Sequence, residues 1–182
     1  MTPVGKRFLD PGAVDAAIEE ATELARRSQV KIALAGGVAM QMYGSDRFTK
    51  DVDFIASGVP SGLVVEKRLS FGGVSGRTES GTPIRIIVRN DDFVSLYDHA
   101  LETATELEAG ISVVTPECLA AMKLVAGRPK DVEDLKGLIA LKAIDLNVAR
   151  KLIKEHLGAF AVKEFNAVVE EVEWILSRDH ER

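Results

Sequence analysis

Residues Ala33 to Ile55 read Ala-Leu-Ala-Gly-Gly-Val-Ala-Met-Gln-Met-Tyr-Gly-Ser-Asp-Arg-Phe-Thr-Lys-Asp-Val-Asp-Phe-Ile, and the rest of the chain is organised around them. The apolar run Ile32 to Ala35 stops at Gly36-Gly37, and the residues from Gly36 to Tyr43 have helical apolar spacing. The reading is strand, tight turn, short helix. Glycines at such a turn take positive φ and carry no Cβ, so backbone N–H groups at a helix N-terminus can come close to an anion such as a phosphate. Asp51-Val-Asp-Phe-Ile then reads as a second apolar strand. Side chains alternate faces along a strand, which puts Asp51 and Asp53 on one face, roughly 6.6 Å apart at the backbone, with Val52 and Phe54 turned to the core. Two carboxylates so placed can ligate a pair of Mg²⁺ ions about 3.5–4 Å apart, an arrangement that clamps the attacking and leaving oxygens of a phosphoryl displacement.

Composition narrows the class. A chain of 182 residues, 46% hydrophobic and 28% charged, has ordinary globular values and room for one domain with a real core. No segment approaches the roughly 18 consecutive apolar residues of a membrane span. The opening Met-Thr-Pro-Val-Gly-Lys-Arg-Phe is not followed by an apolar stretch, so no secretory signal is read there. Cys118 is the only cysteine, which excludes an intrachain disulfide and a cysteine-based zinc site. A cytoplasmic location is expected. The net charge of −5 argues against a general nucleic-acid binder that relies on a global positive field, and the few aromatic residues give no base-stacking platform visible in the sequence.

On either side of the central stretch, local signals set the elements. Asp10-Pro11 opens a first helix as N-cap and N1, with Val14, Ile18, Ala21, Leu24 and Ala25 as its buried stripe and Glu19, Glu20, Glu23, Arg26 and Arg27 as a solvated face. Six of the fifteen glycines fall between Gly58 and Gly81, and the runs left between the turns, Leu63–Val65, Phe71–Thr78 and Ile84–Arg89, predict short strands or hairpins. Gly72-Gly73 reads as a hairpin turn and not as a phosphate loop, since no Lys-Ser/Thr and no helix follow it. Asp92 is expected to cap a helix over Phe93–Thr105. Ile111–Val114 is a further strand, and Thr115-Pro116-Glu117 starts a helix. Its apolar side is Leu119, Met122, Val125 and Ala126, with Lys123 among them. Gly127 then caps it, and Asp131 is expected to open the next helix, to Ala143. Two more helices, Leu146–Leu157 ending at Gly158 and Phe160–Asp179, complete the chain. His99, His156 and His180 have neither metal-ligand spacing nor a nucleophile partner and are read as surface residues.

Two glycines after a strand, thirteen residues, then Asp-x-Asp on a second strand resembles the signature of the nucleotidyltransferases that share the DNA polymerase beta fold. The run Arg47-Phe-Thr49-Lys-Asp51-Val-Asp53 is similar to the branch that includes the AbiEii-type nucleotidyltransferases, toxins of toxin–antitoxin systems. A second stretch, Lys123-Leu-Val-Ala-Gly-Arg-Pro-Lys-Asp131-Val-Glu-Asp134-Leu, resembles the C-terminal signature of that same branch. The resemblance covers roughly Lys31 to Leu141.

It implies an α+β fold, a small mixed sheet with helices on one face, over residues 1–115, followed by a helical C-terminal section over 116–182 packed on that core. It also implies transfer of a nucleoside monophosphate from an NTP, with Mg²⁺ held by Asp51 and Asp53. Gly36, Gly37, Arg47 and Thr49 would bind the triphosphate, and Lys123 and Asp131 would join the two aspartates as catalytic groups. The acceptor stays open among RNA, protein and small molecules, and an antitoxin-type protein partner is implied. The departure from the family pattern is Arg85, which stands on Ile84–Val88 where the family presents a third carboxylate. An active enzyme, an attenuated nucleotide-binding relative and a non-enzymatic interaction module are therefore all carried forward.

Overall fold

The structure is a computed structural model that describes residues 8–107 and 110–179. Its elements are α1 (Pro11–Arg27), β1 (Ile32–Ala35), α2 (Gly36–Met42), β2 (Val52–Ala56), β3 (Val64–Arg68), β4 (Gly73–Arg77), β5 (Pro83–Ile87), α3 (Val94–Glu102), β6 (Thr105–Glu106), β7 (Ser112–Val113), α4 (Pro116–Ala126), α5 (Pro129–Ala140) and α6 (Leu146–Asp179). The seven strands form one sheet in the order β3-β4-β5-β2-β1-β7-β6. It is mixed: β2 runs antiparallel to β1 and parallel to β5, and β1 runs parallel to β7. This is the α+β class expected from the sequence. None of the described helices is long and apolar enough to cross a membrane.

Contacts divide the chain into two compact units. The first comprises the residues up to Ala39 together with Asp46–Val114; the second comprises Met40–Ser45 and the residues from Thr115 onward.

In the sheet unit, register decides what each face carries. Directly paired residues share a face. Leu34, Phe54 and Ile86 line up across β1, β2 and β5, flanked by Val52 opposite Ile84, and all five are buried. On the other face the matching row is Ala35, Asp53, Arg85 and Ser75. The apolar face is the core, and α1 and α3 both pack against β2. Helix α1 begins as its sequence dictates, with the Asp10 carboxylate accepting from Ala13 N and proline in the first turn. The hairpin between β3 and β4 turns at Gly72, at φ 102°, and Gly73, at φ 90°. A Cβ on either would run into the β5 backbone, at Val88 O for Gly72 and at Ile86 O for Gly73, which confirms a structural turn.

The start of α3 differs from expectation. The N-cap is Phe93, with no side-chain cap, and not Asp92; just before it Asp91 Oδ1 accepts from Phe93 N in a local turn, and Asp91 is itself held by Arg89. The helix ends at Glu102, and Thr105 pairs in β6.

The helical unit packs α4, α5 and α6 on one another. Thr115 Oγ1 accepts from Cys118 N at the start of α4, and Gly127, at φ 59°, ends it in the left-handed conformation. The buried run of α4 is Cys118 to Lys123, while Ala126 is exposed, a correction to the expected stripe. Helix α5 begins at Pro129 with Arg128 as N-cap, so Asp131 lies inside the first turn and is not the cap. Proline takes the N1 position, which moves the cap back by three residues. Helix α6 is broken at Gly158, at φ 87° and ψ 176°, where the sequence predicts a stop. Phe165, Val169 and Val172 of its stripe are buried, but Ile175 and the neighbouring Trp174 are exposed. His180 lies outside the described residues.

Candidate active site

The sheet unit brings Gly36, Gly37, Arg47, Thr49, Asp51, Asp53 and Arg85 into one region of chain and sheet. Asp53 is in β2, and Asp51 is the residue before its first strand position. Both carboxylates meet the same guanidinium: Arg85 Nη2 lies 3.0 Å from Asp51 Oδ2, and Arg85 Nε lies 2.6 Å from Asp53 Oδ1. The i, i+2 reading therefore holds, and both acids face one side of the sheet. The Nε contact is an ion pair that falls outside hydrogen-bond angles, although both atoms are shut off from solvent. The Asp53 side chain is 10% exposed and that of Asp51 34%.

The parallel pairing of β2 with β5 places Arg85 there, because Asp53 and Arg85 are register partners. A shift of one residue would have turned Arg85 to the apolar face. Register is set by the whole sheet, so the sequence could identify Arg85 as the odd residue but could not aim it.

The glycine turn is fitted to the acid. Gly36 has φ +59°, and a Cβ built on it would come within 2.0 Å of Asp53 Oδ2. Only glycine lets the carboxylate lie there. Gly37 is pressed against Thr49, with a Cβ reaching within 2.8 Å of Thr49 Oγ1. Its lack of a side chain thus serves packing as well as any ligand, and a bulky residue at Gly37 would disturb the fold. Thr49 is buried, and its hydroxyl donates to Asp51 O at 2.7 Å. That bond fixes the turn that presents Asp51. Arg47 is half-buried, and next to it in sequence Phe48 is exposed against Phe8, with ring centroids 5.4 Å apart.

The helical unit holds a second charged cluster. Lys123 Nζ lies 3.2 Å from Asp131 Oδ1 and 2.6 Å from Asp134 Oδ2, and Arg128 also donates to Asp131. Lys123 is buried, as are both aspartates, with Asp131 at 0% exposure. The expensive lysine on an apolar helix is thus neutralised inside its unit and does not snorkel to water. Burial pushes the Asp131 carboxyl up, but the hydrogen bond from Arg128 and the charge of Lys123 outweigh it, and the group sits below the usual carboxylate range. Asp134 carries no role in the sequence reading; its spacing of three from Asp131 on one helix face was the available signal.

Among the described residues no group of three or more His, Cys, Asp or Glu side chains is arranged to hold a metal ion. Asp51 and Asp53 are the carboxylates that could hold Mg²⁺, an ion usually bound by one or two carboxylates with substrate phosphates completing its oxygen shell. A positive group, the Arg85 guanidinium, already spans both of them.

No protein-family model matches the sequence, and no curated protein matches it. Among solved structures the chain is similar to an antigenic nucleotidyltransferase-like protein from Paracoccidioides brasiliensis, at 15% identity over 90% of this chain and 95% of that one, with a TM-score of 0.50. It is also similar to the antibiotic-resistance factor ANT(2'')-Ia, at 14% identity over 95% of this chain and 99% of that one, with a TM-score of 0.46. The first likeness shows the fold: the chain has the architecture of nucleotidyltransferase-like proteins.

Proposed function

We propose that this protein is a nucleotidyltransferase that moves a nucleoside monophosphate from an NTP to an acceptor hydroxyl. One observation carries the reading: Asp51, just before β2, and Asp53, within it, meet the same Arg85 guanidinium on one side of the sheet, and the Gly36 turn is shaped around Asp53, in a nucleotidyltransferase-like fold. In the reaction the acceptor oxygen bonds to the α-phosphorus, the bond to the β-phosphate oxygen breaks, and pyrophosphate leaves. When bound, Mg²⁺ supplies Lewis-acid stabilisation of the charge on the reacting phosphoryl group. Asp51 and Asp53 would hold that ion. Thr49 keeps Asp51 in place through its hydrogen bond to the Asp51 carbonyl. Gly36 and Gly37 seat the triphosphate, and the Arg47 guanidinium meets its oxygens, a pairing that suits phosphate geometry. Lys123 and Asp131 take the catalytic roles that the resemblance gives them. The two sequence signatures support membership of the AbiEii-type branch, with an antitoxin-type protein as partner.

A second reading has its own observation. Arg85 pairs with both acids where the family carries a third carboxylate, which favours a nucleotide-binding relative with reduced turnover. Label transfer separates the two. Each of the four α-labelled NTPs is supplied with Mg²⁺ and pools of RNA, protein and small hydroxyl compounds. The reading requires label to move from at least one NTP, with loss in Asp51→Asn and Lys123→Met variants that still melt cooperatively. Nucleotide binding without any label transfer would favour the attenuated relative.

A further inference from the structure

We infer that Arg85 is a specificity-determining residue that denies the carboxylate pair to a free divalent cation and yields it only to a cation arriving with a triphosphate. The inference rests on the reading of Asp51 and Asp53 as a metal–nucleotide site and adds the order in which that site is filled.

Arg85 spans both acids, 3.0 Å from one and 2.6 Å from the other, with its side chain 25% exposed. The parallel register sets Arg85 opposite Asp53, which turns its side chain to the face that carries the acids. At Asp53 the guanidinium holds the Oδ1 edge, which is shut off from solvent, and the Oδ2 edge lies close against the Gly36 turn. A cation that is to take Oδ1 of Asp53 must therefore displace Arg85.

A free Mg²⁺ offers nothing for Arg85 to move to. The ion would also bring two positive charges against the guanidinium that already spans both acids, in a site of restricted solvent access. Mg²⁺ sheds its water reluctantly and gains little from two acids that are already compensated. A triphosphate changes the balance. Its oxygens accept a guanidinium at least as well as carboxylates do, so Arg85 can exchange its two acids for phosphate while the acids pass to the metal.

The test reads metal binding without turnover. Mn²⁺ is titrated into nucleotide-free protein and followed by electron paramagnetic resonance, for wild type, Arg85→Met and Arg85→Gln. Loss of the guanidinium should strengthen Mn²⁺ binding by about tenfold to hundredfold, the effect of removing one close competing cation expressed as an equilibrium constant. Asp53→Asn in the Arg85→Met background should remove the gain. Because the two acids lose the guanidinium between them in the variants, Mn²⁺ should also raise their melting temperature more than that of wild type, a readout that survives partial destabilisation. Equal Mn²⁺ affinity in wild type and both variants would overturn the inference. In wild type, an NTP should strengthen Mn²⁺ binding, and in Arg85→Met this coupling should shrink. If no NTP binds wild type with or without metal, the nucleotide reading fails, and the comparison of nucleotide-free variants still decides whether Arg85 excludes the cation.

Discussion

Gly36 and Thr49 show how single residues shape the acid pair. Gly36 combines a left-handed backbone with an approach to Asp53 that excludes any Cβ. Gly36→Ala should cost about 1–2 kcal/mol from the backbone alone, with more from the displaced carboxylate. Denaturant melts measure that loss, and NTP titration should show weaker binding beyond it. Thr49→Val keeps the shape but removes the donor to Asp51 O. The expected cost is about 1–3 kcal/mol for the carbonyl left unpaired, again with weaker NTP binding. A Thr49→Val variant that loses stability but binds NTP normally would make the hydroxyl purely structural. The direction of Asp51 and Asp53 was legible in the sequence because strand periodicity is local. Arg85 was legible as an anomaly only, since its aim depends on the β2–β5 register, which no residue near Arg85 encodes.

At the scale of elements, α4 and α5 are joined by a buried charged cluster that the sequence half revealed. Lys123 stood out as a lysine among apolar neighbours, but Asp131 read equally well as a helix cap, because a first-turn acid and a cap have the same local signature. Pro129 decides between them by taking N1, and Asp131 then turns inward to Lys123 and Arg128. The Asp131 carboxyl is lowered in the folded state, so its contribution to stability is complete above the unfolded carboxylate range and is lost as pH falls through the folded value. Acid titration of a melt should show wild type losing stability below about pH 4, with a shallower slope in Asp131→Asn. At neutral pH that variant should be less stable by about 3–5 kcal/mol, the usual cost of breaking a buried pair from one side. Lys123→Met should be similarly costly, and Lys123→Met with Asp134→Asn should recover part of the loss. An Asp131→Asn variant with wild-type acid slope would show that other carboxylates control the acid transition.

For the whole molecule, element order and fold class were readable because glycine, proline and capping signals mark most boundaries from Asp10 to Gly158. The division at Val114 follows the change from strands to helices that Thr115-Pro116 announces. What was not readable is the pairing that assembles seven short strands, since β6 and β7 have only two residues each and too little pattern to specify partners. The proposed nucleotidyl transfer needs metal and nucleotide together at the carboxylate pair that Arg85 spans. Calorimetry with ATP, GTP, CTP and UTP, with and without Mg²⁺, tests this on wild type and Asp53→Asn. At least one NTP should bind wild type only when Mg²⁺ is present and should fail to bind the variant; equal binding by the two proteins, or no binding by either, would contradict the assignment of Asp51 and Asp53 as the metal–nucleotide site.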